Sequence, residues 1–402
     1  MSAEQRPSAP AGDSRALYVL LTVVFINMAG FGVVIPLLPF YAKSFGAPEW
    51  QVFVLFSAYS LGNFIAEPIW GRLSDRIGRR PVLMITIIGN GLTYLALAFA
   101  PSIAVAVLVR LVSGLMAGNI STIQGYVADV SPPDRRAARM GLMGAAFSMG
   151  FVTGPTLGGL LAHPEAGTAG FRPPLYLAFG LCVLAFFGVM RFVRETRHLH
   201  SDAPQRGRLE GLRDAFRNPV IWRVISVSLI SVGGFAGMEA SFGLWADARF
   251  GWGPREIGFC FMAIGIVGAF AQSLLAGRVA RRFGETQALM GGLVLIGMGF
   301  AMQPFVPVWQ LAMVGMFLVV LGQSVTFPNI GAVISHSSPP DRQGEMLGLN
   351  MAAMALARIV GPLVAAPLFA LHIGGPFMAA ALLILPALFM ASEVRRHVRL
   401  RA

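Results

Sequence analysis

The sequence has 402 residues, 55% of them hydrophobic and only 12% charged, with a mean hydropathy of +0.68 and a formal net charge of +12. A chain this apolar lacks the polar surface that keeps a water-soluble protein dissolved. Its apolar runs are about 20 residues long, enough to cross a bilayer as helices and too long for the alternating strands of a membrane barrel.

Twelve helices are predicted, over 17–40, 51–71, 82–100, 103–130, 138–162, 173–192, 220–247, 255–277, 287–304, 308–334, 343–370 and 374–391. The reading is an all-α membrane protein: a polar tail over 1–16, a six-helix bundle over 17–192, a polar linker over 193–219, a second bundle over 220–391 and a tail over 392–402. Of the 31 Lys and Arg, four, Lys43, Arg172, Arg249 and Arg255, fall at one side, and Arg110 and Arg358 fall well inside helices. The rest share the other side with both termini. The positive-inside rule makes that side cytoplasmic. It also explains the net charge without nucleic acid. The first apolar run is too long for a cleavable signal peptide. Cys182 and Cys260 lie in apolar runs and are expected to pack, not to form a disulfide.

The halves repeat. "GRLSDRIGRR" (71–80) has a counterpart, "GRVARRFGET" (277–286), offset by 206; "SPPDR" recurs at 131–135 and 338–342, and Gly154-Pro155 falls on Gly361-Pro362, offset by 207. Both copies start on the same side, so the repeat is parallel. That arrangement places a substrate site near the midplane between the halves, opened by rocking one against the other.

"GFGVVIPLLPFY" (30–41), "GRLSDRIGRRPVL" (71–83), "VRLVSGLMAG" (109–118) and "GFVTGPTLGG" (150–159) resemble the motifs of helix 1, loop 2–3, helix 4 and helix 5 in the twelve-span drug:proton antiporters of the major facilitator superfamily. The match covers the whole chain. Tetracycline exporters and the quinolone/multidrug exporters of Gram-positive bacteria are the most similar; "GMEASFGLW" (237–245) and "DRQGEMLGLN" (341–350) resemble the multidrug type. Asn27 and Thr93 stand where tetracycline exporters carry acids, and Ser324 where multidrug exporters carry an aspartate. The resemblance implies proton-driven efflux of small amphipathic drugs by a monomer in a bacterial cytoplasmic membrane. No cofactor is implied beyond the proton gradient, and the partners are drug, protons and lipid. A sugar or metabolite transporter of the same fold is the near alternative. A membrane-embedded enzyme would show clustered nucleophiles, bases or metal ligands, and a sensor would carry a signalling domain; neither pattern is present.

The resemblance makes Gly71, Asp75, Gly78, Arg79, Arg80 and Asp129 a charge cluster that latches the cytoplasmic side. Asp75 and Arg79 are four apart and can meet on one helical turn. In the copy the signs reverse, so Arg281 and Glu285 are expected to make at most a local pair. Glu239 lies within a span, where a carboxylate faces the bundle interior or a water cavity by default; it is the leading proton or substrate site. Glu67 is expected one turn from the loop. Arg110 needs a partner or water, and the resemblance implies a part in proton transfer. Arg358, mid-span in the same half as Glu239, is expected to pair with it. Asn27 reads as polar glue or a substrate contact. Phe31, Tyr59, Phe147, Phe151, Phe235 and Phe242 are candidate cavity aromatics. Gly150, Gly154 and Gly158 lie four apart on one face, followed by Gly159, with Pro155 between them. That face suits close helix approach, and the resemblance adds a role in rocking without proton leakage. His163 and His336 read as inert loop residues.

Overall fold

The computed structural model describes residues 14–195, 208–339 and 342–399. Most of the predicted N-terminal tail, the middle of the predicted linker and the last three residues lie outside the described residues.

Among the described residues, twelve long helices form the body. In the first half these are α1 (Ser14–Val34), α2 (Trp50–Ile77), α3 (Arg79–Ala98), α4 (Ile103–Ala117, resuming over Ile120–Asp129), α5 (Pro133–Leu161) and α6 (Arg172–Phe192). In the second half they are α7 (Ile221–Phe250), α8 (Pro254–Leu274, continuing as Ala276–Phe283), α9 (Glu285–Met302), α10 (Trp309–Ser337), α11 (Gln343–Leu371) and α12 (Gly375–Arg399). Eleven are long and apolar enough to cross a membrane. The remaining one, α5, has the length, 29 residues, but six glycines dilute its hydropathy. Helices are what a bilayer allows, because each satisfies its own backbone groups.

The helix ends differ from the expectation in an instructive way. "GRLSDRIGRR" is not a loop. It is the last turns of α2 and the first residues of α3, joined at Gly78 alone, with φ 110° and ψ 155°. Its counterpart Gly284 has φ 84° and ψ 155° between α8 and α9. Glycine reaches this positive-φ conformation without the Cβ penalty. The two copies therefore share a backbone joint as well as a sequence pattern. The first predicted helix also breaks: α1 stops at Val34, and Leu38–Ser44 forms a separate short helix.

The glycine stripe makes the close helix approach its spacing suggests, and the partner is α1. Gly150, Gly154 and Gly158 lie against Phe25, Ala29 and Val33 of α1, within the same half. Contact with the other half falls on the neighbouring face of α5, where Pro155 meets Gly258, Gly159 meets Pro254 and Val152 meets Gly265, all on α8. In the second half Gly361 and Ala365 of α11 likewise pack on Gly233 and Gly237 of α7. Small residues at i, i+4 thus bind helices within each half.

The arginine-rich face and the opposite face are unlike. At the opposite face the halves touch. Lys43, on Leu38–Ser44, forms an ion pair with Asp247 of α7. Phe53 of α2 packs against Phe369 of α11 with ring centroids 5.8 Å apart, and the Ser57 hydroxyl donates to the Ile359 carbonyl at 2.9 Å. At the arginine-rich face the Asp75 side chain is 61% exposed, and Gly141 of α5 and Gly344 and Gly348 of α11 front open space. An exposed pair such as Lys43–Asp247 contributes up to about 1 kcal/mol. Lys43→Ala should therefore raise the population open at the opposite face by at most about fivefold. Distances between spin labels across that face, in variant and native protein, measure the shift.

Outside the spans, the helix Arg208–Arg217 docks on the second half. Arg342 donates to Asp214 at 2.5 Å and to Glu345 at 3.0 Å, and the Asn218 amide donates to the Ser337 carbonyl at 3.1 Å. The Arg342 hydrogen bond holds the Asp214 carboxyl below the usual carboxylate range, and the charges of Arg342, Arg217 and Arg213 add to it. An acid lowered on docking contributes fully above its free pKa of about 3.9 and loses that contribution as the pH falls through the lowered value. The protection of the 208–217 amides against hydrogen exchange, taken relative to the intrinsic rate at each pH, should fall below about pH 4. Arg342→Ala should produce the same loss of protection at neutral pH.

Candidate functional site: the cavity between the halves

The halves enclose a cavity of about 390 Å³, within the range of small-molecule sites. Its wall is built from α1 (Asn27, Phe31), α2 (Tyr59, Glu67), α5 (Phe147, Phe151), α7 (Phe235, Glu239) and α11 (Met351, Met354, Arg358), with α4 contributing Ala117 and Ile120. The aromatic and methionine side chains give it an apolar body with a few polar anchors. It is closed by the contacts at the opposite face and opens toward the arginine-rich face.

Glu239 is 6% exposed and lines this cavity. Arg358 lines it as well, and its charge and that of Arg110 are the positive charges that reach Glu239. The expected Glu239–Arg358 ion pair is not formed: the two side chains share the cavity wall, with no nitrogen–oxygen distance within 4 Å. Glu67 also faces the cavity. Because α2 runs on to Ile77, Glu67 lies eleven residues from the joint at Gly78, about 16 Å along the axis, and not one turn as expected.

Arg110 is placed behind the wall, not on it. It is 2% exposed, its guanidinium sits 4.4 Å from the Tyr59 ring centroid and its Nε donates to the Leu55 carbonyl at 3.5 Å. Tyr59 in turn stacks against Phe31 at 5.0 Å, so one aromatic pair separates Arg110 from the cavity. A cation over an aromatic face is attracted by its quadrupole. The partner that a buried arginine needs is thus a ring and a carbonyl.

Asn27 is both glue and lining. Its amide donates to Asn119 at 2.9 Å, and Asn119 donates to the Thr86 hydroxyl at 3.0 Å. Asn119 sits at the break in α4, where Gly118 approaches Ala66 and Glu67 of α2. Phe242 does not line the cavity. It is fully buried among Trp245, Trp252 and Phe261, with centroids 5.8 to 6.5 Å apart, because α7 at that height is enclosed by α8 and the closed face.

The charge cluster forms. Arg79 Nη1 is 2.8 Å from Asp75 Oδ1, and its Nε is 3.4 Å from Asp129 Oδ2; Ser74 Oγ accepts from Nη1 at 2.7 Å. The Asp75–Arg79 pair bridges two helices across Gly78 and is not a turn of one helix. Gly71 lies close to Ser121, and the Arg79 guanidinium lies across Gly125, while Arg80 donates to the Met190 carbonyl at 2.5 Å. Sequence reasoning missed Glu195. Its carboxylate accepts from the backbone N–H of Arg79 at 2.9 Å and of Arg80 at 3.1 Å. An acid at a helix N-terminus satisfies orphan donors and complements the dipole. The signal was an acid just past a predicted span end. In the copy, Glu285 meets His336 of α10 at 3.1 Å, not Arg281, so His336 is a helical residue with an acidic partner.

The family model for the Major Facilitator Superfamily matches residues 20–290 and 247–399. The chain belongs to this superfamily. It is a transporter. It is 28% identical over 359 residues to "Tetracycline resistance protein, class B" of Escherichia coli, covering 87% of this chain and 88% of that one. It is 26% identical over 394 residues to "Quinolone resistance protein NorA" of Staphylococcus aureus, strain MRSA252, covering 96% and 99%. Among solved structures, the human organic anion transporter MFSD10 (TETRAN) aligns with TM-score 0.69 at 25% identity, over 96% of this chain and 100% of that one. A bacterial homolog of the human lysosomal transporter Spinster, inward-facing and unoccupied, aligns with TM-score 0.80 at 15% identity, over 97% and 98%; this likeness concerns fold alone. The transporter's two halves and the cavity between them are one arrangement in this superfamily fold.

Proposed function

We propose that the protein exports small amphipathic, drug-like molecules in exchange for protons. In this reading it acts as a monomer in a bacterial cytoplasmic membrane, with both termini and the arginine-rich face in the cytoplasm and the proton gradient as its only energy source. The observation that carries the reading is Glu239: a buried carboxylate on the wall of an aromatic and methionine-rich cavity, with no ion pair within 4 Å to a described residue. Such a group can take a proton from one side and release it to the other as the cavity switches. Arg110, through Tyr59, and Glu67 are the neighbouring groups for proton movement. The state described is then the inward-open one, loading drug from the cytoplasm. The Asp75–Arg79–Asp129 cluster closes that side when the halves rock, with Gly71, Gly78 and Arg80 shaping the joint. The apolar wall favours this reading over a sugar transporter, whose substrate needs many hydrogen-bonding partners.

The test is purified protein in proteoliposomes carrying an internal pH-sensitive dye. A panel of amphipathic dyes and antibiotics should drive proton counterflow when added, and an imposed proton gradient should drive uphill movement of the same compounds. Movement that ignores the proton gradient would sink the coupling, and transport of sugars in their place would sink the substrate class.

A further inference from the structure

Among the described residues, the charged side chains that line the main cavity are Glu67 of α2, Glu239 of α7 and Arg358 of α11. Arg358 is exposed, and it also lines a second chamber of about 200 Å³ between α5, α8 and α10. It makes no ion pair within 4 Å with a described residue, yet its charge reaches both carboxylates. The backbone on either side of it is anchored. Ala357 is buried against Gly233 of α7, and the Ile359 carbonyl accepts from Ser57 at 2.9 Å. A guanidinium stays charged at every working pH. Protons can discharge the two carboxylates, but they leave Arg358 as it is. The cavity therefore carries a permanent positive charge on a fixed tether. Two carboxylates against one arginine leave room for one further cation. A second cation would stand in a low-dielectric space without an opposite charge, which is costly. The charge of Arg110, held behind the Tyr59 ring, adds to that cost.

We propose that Arg358 is a specificity-determining residue: a tethered cation that holds the place of one substrate charge, so that the cavity selects amphipaths with a single positive charge over those with two. This rests on the transport reading above and adds the charge class of the substrate. An incoming cation shares the field of Glu67 and Glu239 with the guanidinium, whose long stem lets it give ground toward the side chamber. The apolar body of the substrate lies among Phe147, Phe151 and Phe235, which line both spaces. The discrimination comes from charge and not from the planar fork of the guanidinium, so the point charge of a lysine supplies it equally.

Equilibrium binding to purified protein in detergent at mildly alkaline pH, read by fluorescence, tests this with three dyes. Nile red is uncharged, ethidium carries one positive charge, and propidium has the ethidium ring with a second positive charge. The native protein should bind ethidium about tenfold more tightly than propidium. Arg358→Gln should remove most of that gap by strengthening propidium more than ethidium. Arg358→Met, a second neutral variant, should match it, and Arg358→Lys should keep the native gap. Nile red should bind all of these proteins alike, which separates a change of charge from a damaged cavity. Equal binding of ethidium and propidium by native protein, an unchanged gap in both neutral variants, or a lysine variant that behaves like them overturns the assignment. Transport of the same dyes separates the two ideas. The expected binding pattern without proton-coupled export ends the export reading and keeps the role of Arg358. Proton-coupled export of ethidium without charge discrimination in binding does the reverse.

Discussion

Glu239→Gln should abolish proton-driven accumulation while leaving the fold and the affinity for uncharged substrates close to native. Glutamine has the same shape, so the α7 packing that Gly237 makes with Gly361 and Ala365 is undisturbed. It has no charge and takes no proton in this range. One elementary charge moving through 100 mV is worth about 2.3 kcal/mol, which sustains roughly a fiftyfold concentration ratio. The native protein should approach such a ratio per net charge, and the variant should fall to near one. Accumulation in proteoliposomes, with thermal stability as the control for folding, measures both. A native-sized, pH-dependent ratio in the variant would remove Glu239 from the coupling and leave Glu67 as the remaining cavity carboxylate.

Gly154→Val should be the most destabilising single change considered. A Cβ there would collide with the Ala29 carbonyl and the Gly32 backbone of α1. Backbone cannot swing aside as a side chain can, so α1 and α5 must separate along their length. Overpacking costs typically about 1–3 kcal/mol, and this case belongs at the upper end. Gly144→Val is the control: it lies in the same helix but fronts open space, so its effect should stay within about 0.5 kcal/mol. Thermal unfolding in detergent compares the two. Similar losses for both would mean that helix propensity, and not the α1–α5 contact, governs α5.

The fold was legible because a bilayer leaves few choices. Long apolar runs must be helices, and the 206–207-residue repeat showed how two bundles relate. Asp75, Arg79 and Asp129 were legible because their motif is local. Tertiary neighbours decided the rest. Phe235, Glu239 and Phe242 share one face by helical periodicity, yet Phe242 is walled off because the cavity does not reach that height. The glycine spacing of α5 announced a close approach but not its partner, which is α1 and not the other half. Glu195 acts across more than a hundred residues of sequence, on the N-terminus of α3, where no local pattern points.

The ion pair at the closed face has a practical consequence. Lys43 is the only lysine in the sequence, so the chain carries a single side-chain amine. In the state described, that amine is held by Asp247; once the face opens, it is released. An amine-selective reagent added from that side therefore becomes a one-site clock. Because the Lys43 side chain is already 49% exposed in the paired state, its labelling rate should rise on opening by at most the roughly fivefold that such a pair is worth, with no cysteine introduced and no cavity residue altered.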